Sequence, residues 1–348
     1  MSRDDKLATL RQKPNVVGYD KQLRKRIRDG VEVEEEVIQV FVSMKVPLAQ
    51  LSDADKIPDE IDGIPVDVID LGGEVTPNLF TAQPAEALSA VGNRDRTRPI
   101  VPGISLGNIN ITAGTFGWVY DKGGELFGGS NAHVLHELPA SPLAPKSPHI
   151  LQPGSLDGGK MTDLVGSYVW HNQIVPETPL AIPEPPCNWW CRFVRNFTGY
   201  TPPPAPVPTV PTPMNKQDFA TFKINDTAVD YGSTYDFDVL DEDRLIGLIY
   251  AGTPIVSMVT KVKYQLEKGY TPLNVKTAHV DRFDNLFKSG RTTGYTGKIP
   301  DELKYVLSDS IVIKVNYGQF YGWFDDVIMV NRMSEGGDSG SPVFKRVE

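Results

Sequence analysis

A serine held out on a glycine turn can attack a carbonyl carbon, and residues 336–342 read Gly-Gly-Asp-Ser-Gly-Ser-Pro. Acyl transfer through a hydroxyl needs three side chains: the hydroxyl, a base to take its proton, and an acid to orient the base. It also needs backbone N–H groups aimed at the developing oxyanion. Ser339 is the candidate nucleophile. The glycines beside it let the backbone curl until the amides of Gly337 and Ser339 face one pocket as oxyanion donors. Ser341-Pro342-Val343-Phe344 then reads as a strand leaving the turn.

The base is sought upstream among five histidines: His133, His136, His149, His171 and His279. His133 follows Gly128-Gly129-Ser130-Asn131-Ala132, small residues that lead to a histidine at a turn. His136 reads as an exposed or loosely bonded neighbour. The orienting acid is expected between base and nucleophile. Asp218 heads the hydrophobic segment Phe219-Ala220-Thr221-Phe222, where a buried carboxylate would hold imidazole Nδ1. Asp226 and Asp230 lie in a polar stretch and read as loop residues.

In this order, His, Asp, Ser, the segments resemble the trypsin-like serine peptidases, and more nearly their bacterial and archaeal cytoplasmic branch with an extra N-terminal domain. Further segments carry the same resemblance: Lys13-Pro14-Asn15-Val16-Val17-Gly18, Ile61-Asp62-Gly63-Ile64-Pro65-Val66-Asp67-Val68 and Arg98-Pro99-Ile100-Val101-Pro102-Gly103. Thr112-Ala113-Gly114-Thr115, Gln152-Pro153-Gly154 with Asp157-Gly158-Gly159, and Lys288-Ser289-Gly290-Arg291-Thr292-Thr293-Gly294 follow. The resemblance implies a mainly β protein with two six-stranded β-barrels and the site in the cleft between them. It gives Arg291-Thr292-Thr293-Gly294 no catalytic role, and that segment reads as a structural turn. Asp338 pairs in secreted members with a new N-terminal amine after activation. Here the N-terminus belongs to a separate unit, so that switch is not expected.

The chain departs from the family at its end. Only nine residues follow Ser339, whereas the family continues with a strand that walls the specificity pocket and then a helix. A segment of that character occurs earlier, Leu245-Ile246-Gly247-Leu248-Ile249-Tyr250-Ala251-Gly252, before a helix read over 256–268. Residues 244–268 are therefore expected to fold back and replace the missing strand and helix; a truncated gene or an ordinary insertion are the alternatives. The pocket would then be lined by Met333, Ile249, Tyr250, Ala251 and Gly252. It would be apolar or neutral and would not favour cleavage after Lys or Arg, with Glu335 as a weak acidic counter-candidate.

The elements that must position these residues are mostly short strands. Gly 31 and Pro 29 in 348 residues favour strands and turns over helical bundles. Residues 3–13 read as a short helix, and 37–42 and 66–70 as strands joined through the turn at Asp62-Gly63. This gives a small α/β unit over 1–75, a linker over 76–98, and a peptidase domain over 99–348. Within the last, 109–112, 117–120 and 164–169 are strand candidates. Residues 174–214 hold 12 of the 29 prolines and cannot be a central strand, so they read as an insertion at the surface. Cys187 and Cys191 in that insertion suit a disulfide, half a metal site, or two small apolar packing residues.

A net charge of −9 disfavours nucleic acid as partner. No apolar stretch approaches the ~20 residues of a membrane span. The polar start and two cysteines make a cytoplasmic location the default, with a virion location equally compatible. No cofactor and no metal are called for. The expected function is a serine endopeptidase acting on a protein or peptide. The alternative is a structural or assembly protein, such as a virion component, with the triad unused or used on itself. Self-association or an assembly partner is compatible with either.

Overall fold

The computed structural model describes residues 2–28, 31–53, 55–77, 93–111, 113–137, 146–177, 214–225, 229–231, 245–252, 256–297 and 304–346. The fold is mainly β, as the sequence implies.

The N-terminal segment begins with helix α1 (Arg3–Leu10). Ser2 caps it: its hydroxyl accepts from Asp5 N while Asp5 accepts from Ser2 N, a reciprocal box that satisfies two otherwise orphaned amides. Strands β1 (Val16–Asp20), β2 (Arg24–Arg28), β3 (Val31–Val42), β4 (Glu60–Ile61) and β5 (Ile64–Asp70) follow. Asp62 and Gly63 both have positive φ, which makes the tight β4–β5 turn the sequence announces. Leu7 and Leu10 of α1 pack on Val16, Tyr19, Ile38 and Val40. This unit, read from the sequence as separate, is stitched into a larger sheet. β1 pairs antiparallel with a strand near the C-terminus, Gly18 opposite Ile313, and Val312 and Trp323 enter the same apolar cluster.

The first barrel uses β6 (Ser105–Asn108), β7 (Gly114–Thr115), β8 (Trp118–Lys122), β9 (Glu125–Ser130), β10 (His149–Leu151), β11 (Leu164–His171) and, after the insertion, β13 (Ala220–Ile224). The sheet order runs β8-β9-β13-β11-β10-β6-β7. Only Phe116 and Gly117 separate β7 from β8. Phe116 N bonds to Ile104 O and Gly117 N to Gly129 O, so the two are halves of one bent strand and the path closes as six. The expected strand over 109–112 is corrected. Asn108 Oδ1 accepts from Asn110 N and Asn108 O from Ile111 N, so a local turn outcompetes the ladder. Short helix α2 (Ala132–Leu135) leaves β9.

The second barrel uses β14 (Leu245–Gly252), β15 (Val256–Lys261), β17 (Asn285–Gly290), β19 (Lys304–Asn316), β20 (Tyr321–Asn331) and β21 (Pro342–Arg346). Its ring is β20-β15-β14-β21-β17-β19, closed by the β19–β20 ladder. Three two- or three-residue strands lie outside these rings. β12 (Met214–Asn215) pairs with β20, β16 (Thr271–Pro272) with β8, and β18 (Gly294–Thr296) with β17.

The helix read over 256–268 is corrected: 256–261 is a strand and only α3 (Lys263–Glu267) is helical. Val256, Val259 and Thr260 are β-branched, and the backbone here pairs on both sides, Val259 with Ala251 and with Ile328. β14 lies where the sequence reading puts it, beside β21, with Ile246 opposite Lys345 and Ile249 opposite Val343. β14 and β15 thus supply two strands to the second barrel. The linker over 78–92, most of the proline-rich insertion with Cys187 and Cys191, and Asp226 lie outside the described residues. Among the described residues, no helix is long and apolar enough to cross a membrane.

Candidate active site

The site lies at the seam of the two barrels. The first contributes a histidine and an aspartate from neighbouring strand ends. β13 and β9 pair with Ala220 opposite Ser130, which brings Asp218, just before β13, against the start of α2. Asp218 is bound to that start from several directions. Asn131 Nδ2 donates to its carbonyl at 2.6 Å, and Ala132 N to Oδ1 at 2.6 Å. His133 N also reaches Oδ1, at 3.3 Å. The other carboxylate oxygen lies 2.5 Å from His133 Nδ1. The imidazole is thereby oriented with Nε2 directed away from the acid. Burial pulls the Asp218 carboxyl upward, but the facing His133 and the bonds it receives hold it below the ordinary carboxylate value.

One of those bonds was invisible in the sequence. Tyr317 O–H donates to Asp218 Oδ2 at 3.1 Å. Tyr317 is buried in the turn between β19 and β20, so the second barrel holds the first barrel's acid, and its ring meets that of His133 edge-on at 6.1 Å. Burial, then the adjacent Asp218, push the Tyr317 hydroxyl well up, so it stays a donor.

The second barrel contributes the glycine turn that carries Ser339. Gly337 (φ 95°) and Gly340 (φ 89°) both take left-handed backbone. A Cβ at Gly340 would meet Ser130 Oγ and Asn131 N, which places the turn directly against the segment leading into His133. Thr115 fixes it further: its N–H donates to Ser339 O at 2.8 Å, and its hydroxyl to Gly337 O at 3.0 Å. Among the described residues, the amides of Gly337 and Ser339 have no acceptor, as an oxyanion pocket requires. His133 Nε2 and Ser339 Oγ are buried and unpartnered, and no hydrogen bond joins them.

The Arg291-Thr292-Thr293-Gly294 segment, given only a turn's role above, backs the site. Arg291 lies in a buried, two-pronged pair with Asp157 of the first barrel, at 2.5 and 2.6 Å. Thr292 Oγ1 donates to Gly336 O at 2.6 Å. A Cβ at Gly337 would strike Arg291 Nη1 and Thr292 Oγ1, so this glycine also makes room for its supports. The Asp157-Gly158-Gly159 and Thr-Ala-Gly-Thr segments, noted only as family markers, supply the partners in this seam.

The remaining candidates fall as follows. Met333 is buried with Val280, Leu286, Val330 and Val343. Tyr250, opposite Pro342, and Ala251 and Gly252, opposite Val259 and Met258, run along β14 close in sequence register to the nucleophile turn. Glu335 pairs with Arg332 at 3.1 Å. Asp230 N bonds to Ile100 O in a loop. His136 is corrected from exposed to buried: its ring lies tilted against that of His171 with centroids 4.3 Å apart, and His171 Nδ1 lies 2.5 Å from Tyr168 Oη. Among the described residues, no cluster of His, Cys, Asp or Glu could hold a metal ion.

No family model matches the sequence, and no curated protein matches it. Among solved structures, the chain is similar to a glutamic acid specific serine protease, described as using a novel histidine triad in substrate binding. The match has 13% identity and a TM-score of 0.35, and covers 71% of this chain and 93% of the other. That likeness is too slight to carry a statement about this chain.

Proposed function

We propose that this protein is a serine endopeptidase that works through an acyl-enzyme. The observation that carries the reading is the buried His133–Asp218 pair at 2.5 Å, with Nε2 unpartnered beside a glycine turn that holds out an unpartnered Ser339 Oγ. Ser339 Oγ attacks the scissile carbonyl carbon while His133 Nε2 takes the hydroxyl proton. The oxyanion rests on the amides of Gly337 and Ser339. His133 then gives its proton to the leaving amine, and a water repeats the sequence to release the acid. Asp218 keeps Nδ1–H directed at itself, which fixes the tautomer and stabilises the imidazolium. The β14 segment Ile249–Gly252 would form a wall of the pocket, and its neutral character fits a neutral side chain before the cut; Met333, packed in the interior of the second barrel, is not part of it. The absent Ser339–His133 bond does not oppose this, because such bonds often tighten only when substrate arrives.

A fluorophosphonate probe tests the proposal by forming an Oγ–P bond and expelling fluoride. Wild-type protein is expected to be labelled on Ser339, and Ser339→Ala not at all. An unlabelled wild type, or equal labelling of both, defeats the proposal and favours a structural or assembly role for the same fold.

A further inference from the structure

Lys288 is fully buried, at 0% exposure, and so is Asp338, the residue before the nucleophile. Lysine is almost never fully buried without a partner. Here Nζ lies 3.1 Å from Asp338 Oδ2, 2.5 Å from Thr293 Oγ1 and 3.5 Å from Gly294 O, so all three of its protons have acceptors. Asp338 is equally occupied. Oδ1 accepts from Thr292 N at 2.8 Å and Thr293 N at 3.1 Å. Oδ2 accepts from Thr293 Oγ1 at 2.6 Å and Glu335 N at 3.0 Å. The carboxylate therefore ties the start of the turn that presents Gly337 and Ser339, at Glu335, to the 292–293 segment behind it. Lys288 sits in the middle of β17, opposite Val343 of β21 and Thr296 of β18, so its own place is set by the barrel.

We infer that Lys288 is a built-in positioning residue: its ammonium neutralises Asp338 from within the folded barrel. The Gly337-Asp338-Ser339 turn thus takes its oxyanion-binding shape as the chain folds, with no cut to release a new N-terminal amine. This rests on the peptidase reading above. Removal of the ammonium alone leaves a buried carboxylate uncompensated. The turn must then rearrange to hydrate it, and the Gly337 and Ser339 amides move with it. The charged groups facing Lys288 are Asp338 and, farther off, Glu335; the nearby Arg291 guanidinium is engaged by Asp157. Burial pulls the Lys288 ammonium below its ordinary value and Asp338 opposes it, with a net lowering. Its proton is thus lost on the alkaline side before that of a free lysine.

The test is the rate of fluorophosphonate labelling across about pH 6 to pH 11 in full-length protein. Wild type is expected to show an alkaline fall that begins below the ordinary lysine range. Below the pH of that fall, Lys288→Met should be labelled at least about a hundredfold more slowly than wild type, the scale of a lost oxyanion donor, and the two should converge above it. Lys288→Met with Asp338→Asn removes both charges and with them the cost of an unpaired buried ion, and it should lack the alkaline fall. An unchanged alkaline fall in the double variant, or wild-type labelling of Lys288→Met, overturns the inference. If wild type itself is not labelled, the peptidase reading fails and hydrogen exchange decides this one. Residues 335–341 should exchange at least about tenfold faster in the double variant while the first barrel keeps its protection. Equal protection of 335–341 overturns the inference.

Discussion

Two buried aspartates flank the seam, and they differ in what they leave open. Asp338, in the second barrel, is saturated: Lys288, Thr292, Thr293 and Glu335 occupy both its oxygens, and Lys288 has no proton to spare. Asp218, in the first, is bound as tightly, but its partner His133 keeps one ring nitrogen unpartnered. A closed network fixes geometry, whereas a network with one open end can move a proton. Under the proposed mechanism, the same pairing of a carboxylate with a basic group serves as a rivet on one side and as a relay on the other.

The largest effect expected from breaking this contrast is at Asp218. Asp218→Asn keeps the shape but lets Nδ1 accept instead of donate, and labelling of Ser339 should slow by about 10⁴-fold. Circular dichroism should show the fold intact; labelling within a few-fold of wild type would remove Asp218 from the relay. Next comes the rivet that spans the seam. Arg291→Met leaves Asp157 buried and unpaired, which should cost about 3–5 kcal/mol in a urea titration. A cost below 1 kcal/mol, on the scale of about 0–1 kcal/mol typical of an exposed pair, would mean that water reaches Asp157.

The smallest effect is expected at Tyr317, where the second barrel reaches into the first. Tyr317→Phe removes one bond to a charged acceptor, worth about 1.5–3 kcal/mol, and labelling should slow by roughly ten- to a hundredfold. The same variant has a pH signature. Asp218 is held below its ordinary 3.8, so its contribution to stability is complete above that value and is lost as pH falls through the lowered one. Loss of the Tyr317 hydroxyl raises the Asp218 value, so acid unfolding should begin at a higher pH than in wild type. An unmoved acid midpoint would mean that Tyr317 merely packs.

What could be read from the sequence tracks how local each constraint is. The glycine turn at Ser339, the turn at His133 and the strand after Asp218 each carry their local geometry in adjacent residues, so the sequence could single them out as candidates. β14 was legible because its apolar, glycine-interrupted pattern is unusual where it stands. The helix mistakenly read over 256–268 shows the limit: Val256–Lys261 is set as a strand by partners on both sides, 251 and 328 among them, and no local window contains these. Tyr317 and Lys288 were missed for the same reason. A tyrosine in a hairpin turn and a lysine in a strand carry no local mark of a buried aspartate reached only after the barrels close. His136 was misjudged because the ring it packs against, His171, lies on a different strand, β11.

The threading of the second barrel also bears on how the protein is made. β21 lies between β14 and β17, yet the ribosome delivers it after both. Until β21 emerges, the nascent chain carries two unpaired strand edges facing one gap, with Leu286 and Val259 of the unfinished interior near water. Open edges of this kind are where β proteins pair with the wrong chain. The strand that closes the gap is the one that follows Ser339, so repair of the edges and assembly of the nucleophile turn are a single event in biosynthesis. A half-made chain carries the hazard of the open sheet before the Ser339 turn has taken shape.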